Sequence, residues 1–268
     1  MEPAPNVSER NVRKMEDFAE YILNEEDLIS KIEILYFLAP KLGINFDKSI
    51  IFKTEIARMF LKYTKAKVDN NLVLTACLLC NCKKVDDAQK IGKLKTYAIE
   101  GAEHLKKLGF DERFCNICEG VNRYSQISHR ESESDILELV DQFGGMLIDR
   151  PERVGFAPDE ALVLLEHRNL KSEYNRYLEI FRGFVEAMEK IEIQGAVNTT
   201  VFARLQKLIR ESKNIPEFTK KIATDYSICV DEKLDNITCS NNKKDISNRA
   251  MFSSEIEEKI LNHVKEGN

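Results

Sequence analysis

Two groups of cysteines have a spacing that can bind a metal ion. Cys77, Cys80 and Cys82 lie close together, and Cys115 and Cys118 follow further along the chain. Cysteine pairs separated by two residues can supply the four thiolates of a tetrahedral zinc site. Such pairs normally stand on turns, whereas both groups here fall inside apolar, helical patterns, where cysteine is a common buried residue. We therefore predict that these cysteines are core residues without a metal, with a thiolate zinc site as the alternative.

A second group of polar residues surrounds a Gly-Gly pair. Residues 141–165 read DQFGGMLIDRPERVGFAPDEALVLL, in which Asp141 stands at the edge of an apolar stripe. A carboxylate in that position is most often hydrogen-bonded to an arginine or to a helix end, so we predict a structural role for Asp141. Arg150 can hold the following loop by pairing with Asp141 or Asp149. The alternative is that Arg150 and Arg153 contact an anion such as a phosphate group.

The motifs of several common activities are absent from the sequence. It contains no Gly-x-x-x-x-Gly-Lys loop for nucleotide phosphates, no Gly-x-Ser-x-Gly elbow and no His-Glu-x-x-His pair. The basic doublets at 83–84 and 243–244 are typical of solvated surface rather than of a nucleic-acid interface. The sequence has four histidines, which are His104, His129, His167 and His263. Imidazole chemistry therefore has few residues available.

The composition favours an all-α protein. The chain has 268 residues, 43% of them hydrophobic and 32% charged, with 11 glycines and 6 prolines. The net charge of −5, with both signs intermixed, argues against a nucleic-acid or anionic-membrane partner. No apolar run reaches membrane-spanning length, and the first residues lack the pattern of a signal peptide. We therefore expect a cytoplasmic protein with reduced cysteines.

The elements that must position these residues are helices. Apolar residues recur at three-and-four spacing along most of the chain, and no strand pattern is present. Gly43 is predicted to end the second helix, and Asp47 or Ser49 to cap the third. Asn70 is predicted to cap a helix that is apolar at nearly every position, which we expect to be the most buried. Pro158 is predicted to open the helix after the Asp-Arg-Pro loop.

The stretch 141–165 resembles the closing segment of HD-domain phosphohydrolases, in particular of the HD-GYP branch. In that branch an Asp-x-Phe run leads to Asp-Arg-Pro-Tyr-Arg and then to a Pro-Glu-Glu-Ala-Leu helix. Here the corresponding runs are Asp-Gln-Phe, Asp-Arg-Pro-Glu-Arg and Pro-Asp-Glu-Ala-Leu. The resemblance implies an HD-domain-like helical bundle at 48–190. A helical segment at 1–47 would precede this bundle, and a helical extension at 191–268 would follow it.

The same resemblance implies a degenerate active site. The family binds iron or manganese through several histidines and aspartates, and most of these positions carry other residues here. Aligned with the family, the site becomes a vestigial metal corner composed of Phe52, Cys80, Asn81, Tyr97 and Asp141, of which only Asp141 matches a ligand. The two aromatic side chains are expected to fill the space of the missing ligands. The resemblance therefore implies no metal and no other cofactor.

Three functions follow from this interpretation. The preferred one is a non-catalytic HD-like regulatory or protein-interaction module in bacterial signalling, because relatives of this family act in cyclic-di-GMP turnover. The first alternative is a divergent metal-dependent phosphohydrolase or cyclic-dinucleotide phosphodiesterase that recruits His129, Glu131 or Glu133 around Asp141. The second is a nucleotide-binding effector without hydrolysis that uses the loop arginines. The expected partner is a protein, a cyclic dinucleotide is a candidate ligand, and a homodimer is left open.

Overall fold

The residues form an all-α fold, as the composition predicts. The computed structural model describes residues 18–84, 96–122, 125, 127, 130–151, 153–170, 175–193 and 199–237. Within these ranges, none of the helices is both long and apolar enough to cross a membrane.

Twelve helices follow one another in the described part of the chain. They are α1 (18–24), α2 (Leu28–Leu42), α3 (Lys48–Thr64), α4 (Asn70–Leu79), α5 (Tyr97–Lys107), α6 (Glu112–Gly120), α7 (Ser132–Leu147), α8 (Pro158–Leu164), α9 (Leu178–Glu189), α10 (Val201–Glu211), α11 (Ile215–Lys221) and α12 (227–237). A π-helical turn at Leu165–Asn169 continues α8, and another at Ile222–Tyr226 joins α11 to α12. The prediction of no strands was wrong in one place, because β1 (Glu192–Ile193) pairs antiparallel with β2 (Thr199–Thr200) just before α10.

Aspartates define the starts of α3 and α4. The Asp47 carboxylate accepts from the backbone N–H groups of Ser49 at 2.7 Å and Ile50 at 3.1 Å, so Asp47 is the cap. For α4 the predicted cap was one residue late. Asp69 accepts from the N–H group of Leu72 at 3.0 Å, as a side chain at the N-cap position does.

The end of α2 and the start of α8 follow the predicted signals. Gly43 adopts a left-handed conformation with φ of 65°, and its N–H group donates to the carbonyl of Ala39. Glycine tolerates that conformation because it has no Cβ. Pro40 lies inside α2 rather than beyond it, two residues before the last helical residue. Pro158 is the first residue of α8.

The most buried helix is α7 rather than α4. Twelve of its sixteen residues are buried, compared with six of ten in α4. The expectation for α4 was therefore wrong. Both helices pack against four others, but the first turn of α4 remains exposed or half-exposed, whereas α7 is buried without interruption from Glu133 to Val140.

The described parts of all three predicted segments contribute to one hydrophobic cluster, which runs from Phe18 in α1 to Leu234 in α12. Its aromatic centre joins α3, α7, α9 and α10. Ring centroids there lie 5.1–5.8 Å apart, in edge-on or tilted arrangements, among Phe60, Phe143, Phe181, Phe184 and Phe202. The helices after residue 199 thus complete the core of the preceding bundle.

Ion pairs hold α12 alongside α3. Arg58 lies 2.7 Å from a carboxylate oxygen of Asp231, and its guanidinium also binds Glu55 at 2.8 Å. One turn further along both helices, Lys62 lies 3.2 Å from Asp235. The pairs advance in the same direction along the chain, so α12 runs parallel to α3.

Candidate functional site

Asp141, in the middle of α7, receives three side-chain donors. Its Oδ1 atom accepts from Lys53 Nζ at 2.8 Å and from Asn81 Nδ2 at 2.7 Å. Its Oδ2 atom accepts from Lys84 Nζ at 3.3 Å. The side chains of Asp141 and Lys53 are only 10% and 9% exposed. We call these four residues the Asp141 cluster.

The cluster keeps Asp141 ionised. Burial alone would raise the pKa of this carboxyl group. The charges of Lys53 and Lys84, with the hydrogen bonds from Lys53 and Asn81, instead hold the pKa well below its ordinary value. Two ammonium groups therefore face one carboxylate, and the cluster carries an excess of positive charge.

A close approach of α3 and α7 places Lys53. A Cβ atom added to Gly144 would lie 2.9 Å from Lys53 Cγ and 3.3 Å from Ile56 Cδ1. Because Gly144 has no side chain, the aliphatic part of Lys53 can lie against α7 with its ammonium group on Asp141, one turn earlier. The Gly-Gly pair of the sequence thus makes room for the lysine.

The turn after α4 places the other two donors. The N–H group of Lys84 donates to the carbonyl of Asn81 at 2.9 Å, which brings both side chains towards α7. The ammonium group of Lys84 also lies 5.1 Å from the centre of the Tyr97 ring, a cation–π distance. The Oδ1 atom of Asn81 is buried and accepts no hydrogen bond from the described residues.

Three of the five residues of the predicted metal corner lie together. Asn81 contacts both Asp141 and the Cys80 thiol, at 2.7 Å and 3.6 Å. Tyr97 reaches the group through its contact with Lys84. Phe52 is fully buried in the core. No described hydrogen bond, ion pair or ring contact joins Phe52 to Asp141.

Neither lysine of the cluster was predicted from the sequence. Lys84 was assigned to solvated surface, which was wrong because it pairs with Asp141. For Lys53 a signal was present, since it lies three and seven residues before Ile56 and Phe60 on the buried stripe of α3. A lysine at such a position needs an acidic partner. No comparable local pattern marks Lys84, whose direction is decided by the turn.

The arginines of the Asp-Arg-Pro loop bind the end of α7. The Arg153 guanidinium donates to the carbonyls of Gly145 at 3.0 Å and Met146 at 2.9 Å, and Arg150 reaches Gly145 at 3.5 Å. The last carbonyls of a helix have no partner within it and carry partial negative charge. Both side chains thus contact this helix end.

The predicted partners of Arg150 were wrong. Asp149 instead binds Arg210 of α10 through two hydrogen bonds, at 2.8 Å and 3.0 Å. Asp149 also accepts from the N–H group of Gly155 at 2.7 Å. Asp141 is bound by the lysines described above. The loop is therefore held by α10 and by the end of α7, not by Asp141.

The five cysteines of the alternative zinc site are buried free thiols. Burial raises the pKa of Cys77 and Cys82 to about 12 and that of Cys115 to about 11. Burial also raises the pKa values of Cys80 and Cys118 well above the ordinary value. Across the described ranges, no group of three or more His, Cys, Asp or Glu residues is placed to hold a metal ion. Thiols with these pKa values remain protonated near neutral pH.

The acids that an enzyme would recruit are paired elsewhere. Arg113 of α6 lies 2.7 Å from Glu133 and 3.6 Å from Glu131. His129 falls outside the described residues, as does His263. His104 bonds through Nε2 to the carbonyl of Leu42 at 2.7 Å. Neither Glu131 nor Glu133 takes part in the Asp141 cluster.

A second buried charge network lies at the start of α7. Arg130 pairs with Asp135 and with Glu138, both at 2.6 Å, and Glu138 is fully buried. Arg176, before α9, also lies 3.0 Å from Asp135. These ion pairs bind the segment before α7 and the segment before α9 to α7 itself.

The chain was compared with models of protein families, with curated proteins and with solved structures, and none of the three comparisons finds a match. The resemblance to HD-domain proteins therefore rests on the sequence motifs alone and stays a prediction.

Proposed function

We propose that this chain is a non-catalytic, HD-like helical module that regulates or binds a protein partner in bacterial cytoplasmic signalling. One observation carries the proposal. Among the residues of the vestigial metal corner, only Asp141 matches a ligand of the resembled family. Its carboxylate accepts hydrogen bonds from two lysines and an asparagine. The cluster then supports the fold and performs no reaction.

The lysines take the electrostatic role that a metal ion would have. A metal centre needs carboxylates and imidazoles with free lone pairs converging on one point. At Asp141 the nearby positive charges belong to side chains, and they would repel an incoming divalent cation. The side chains of the cluster provide the buried carboxylate with hydrogen-bond donors and opposite charge without a metal. This supports a structural role, in which the cluster joins α3 and α7 to the turn after α4.

The effector alternative draws less support from the loop. Arg150 and Arg153 both donate to carbonyls at the end of α7, so binding a phosphate through them would break those contacts. A phosphate ligand would therefore compete with the end of α7 for both arginines.

The proposal is tested by activity and metal content of the purified full chain. We expect no hydrolysis of cyclic dinucleotides or generic phosphoesters above a heat-treated control, with or without added manganese. Elemental analysis after chelation and dialysis should find no stoichiometric iron, manganese or zinc. Metal-dependent hydrolysis that disappears in Asp141→Asn, with circular dichroism unchanged, would establish the phosphodiesterase alternative instead.

A further inference from the structure

The outer face of α2 carries two exposed aromatic side chains. Phe37 is 68% exposed and Tyr36 is 40% exposed, and their rings touch edge-on with centroids 5.2 Å apart. Glu33, Pro40 and Lys41 are exposed on the same side of the helix, one turn before and one turn after them. We call these five residues the α2 stripe.

The stripe is not needed to hold α2 in the fold. The opposite face of the helix buries Lys31, Ile32, Leu35 and Ala39, and α2 packs through it against α4 and α11. Exposed aromatic pairs bordered by charged residues are typical of surfaces that bind another protein.

The charges along the stripe are self-complementary. Glu33 precedes Phe37 by four residues and Lys41 follows it by four. Neither charge has an ion-pair partner among the described residues. The acidic character continues before α2 with Glu25, Glu26 and Asp27, and Lys83 adds positive charge at the other end by binding the carbonyl of Gly43 at 2.6 Å. One end of the helix is therefore acidic and the other basic.

We propose that the α2 stripe binds the same stripe of a second copy of this chain, with the two α2 helices antiparallel about a two-fold axis at Phe37. An isologous contact of this kind places each patch against itself. Glu33 then faces the partner's Lys41, and the aromatic rings of both copies meet at the centre. A parallel arrangement would place like charges together, which is unfavourable. The surface does not depend on the function proposed for the Asp141 cluster.

The first test is the oligomeric state of the full chain, measured by sedimentation velocity over a range of concentrations. We expect a concentration-dependent dimer, and Phe37→Glu should raise the dissociation constant by at least about tenfold. The matched control is Val163→Glu, at an exposed apolar residue of α8, which should leave dimerisation unchanged. A monomer at every concentration, or a Phe37→Glu variant that dimerises like the control, would overturn the proposal.

The second test exchanges the two charges. Glu33→Lys and Lys41→Glu should each weaken the dimer by about tenfold, because each puts like charges face to face twice. The double variant Glu33→Lys/Lys41→Glu should restore wild-type dimerisation. An equimolar mixture of the two single variants should form a heterodimer, since both facing pairs then attract. Equal dimerisation of wild type and both single variants would exclude this antiparallel pairing.

Discussion

At the scale of single residues, the buried Asp141 and Lys53 depend on each other. Each is nearly removed from water, and removing one partner leaves an uncompensated charge in the interior. Asp149, eight residues later in the same motif, makes its ion pair with Arg210 at the surface, where water screens it. The same residue type in one motif therefore has two different energetic roles.

These two aspartates make a matched pair of variants. Asp141→Asn should lower the free energy of unfolding by about 3–5 kcal/mol, because Lys53 keeps its charge without a carboxylate. Asp149→Asn should cost less than about 1 kcal/mol. Urea unfolding followed by circular dichroism measures both values. Equal losses in the two variants would contradict the assignment of Asp141 as the buried support.

A second buried lysine predicts a dependence of stability on pH. Lys31 is fully buried and donates to the carbonyl of Ile22 and, at 2.8 Å, to Thr75 Oγ1. Burial lowers its pKa from 10.5 to about 8. Between these two values the folded chain binds fewer protons than the unfolded chain, so the Lys31 contribution makes the fold more stable as the pH rises.

The measurement compares wild type with Lys31→Met, in which this titration is removed. From pH 8 to pH 10, the free energy of unfolding of wild type should rise relative to that of the variant. A difference that stays constant over this range would show that Lys31 has an ordinary pKa in the folded chain.

At the scale of elements, the crossing of α3 and α7 depends on a glycine. A Cβ atom at Gly144 would lie 2.9 Å from Lys53 Cγ, whereas one at Gly145 would meet nothing closer than 3.5 Å. Only Gly144 is therefore required by the close approach of α3, although both glycines lie inside a helix, where alanine is intrinsically preferred.

Alanine substitutions separate these roles. Gly144→Ala should destabilise the fold by about 1–3 kcal/mol, because Lys53 and Ile56 must move away from the added methyl group. Gly145→Ala should be neutral or stabilising by up to about 1 kcal/mol. Thermal unfolding of the two variants provides the comparison. A Gly144→Ala variant as stable as Gly145→Ala would show that α3 and α7 do not approach each other closely at Gly144.

At the scale of the whole molecule, the helices after residue 199 belong to the same core as the preceding bundle. Phe202 of α10 is fully buried, with its ring centroid 5.4 Å from that of Phe143 in α7 and 5.8 Å from that of Phe184 in α9. Lys48, at the start of α3, also donates to the carbonyl of Ile209 in α10 at 3.1 Å. The two parts should therefore unfold together.

Phe202→Ala tests this coupling. The variant should lose about 3–5 kcal/mol in a single cooperative transition, because the cavity opens between helices of both parts. Exposed Val163 of α8 is the control, since Val163→Ala should change the free energy of unfolding by less than about 1 kcal/mol. Two separate transitions in Phe202→Ala would show instead that the C-terminal helices form an independent unit.

Much of the secondary structure could be predicted because its causes are local. Helical periodicity predicted the all-α class, and the signals at Gly43, Asp47 and Pro158 act within one turn of the residues they affect. The cap of α4 was misplaced by one residue because Asp69 and Asn70 are both good capping residues and only the backbone geometry distinguishes them. The extent to which α7 is buried could not be predicted, since it depends on how the other helices pack around it.

The sequence by itself determined that the chain is helical, and it predicted a structural role for Asp141. It could not determine which groups bind that carboxylate. Lys53 lies 88 residues away along the chain, Asn81 60 and Lys84 57. A local pattern can show that a buried charge needs a partner, because desolvation acts on the residue itself. Only the packing of α3, α4 and α7 decides the partner's identity, because an ion pair requires two atoms to meet in space.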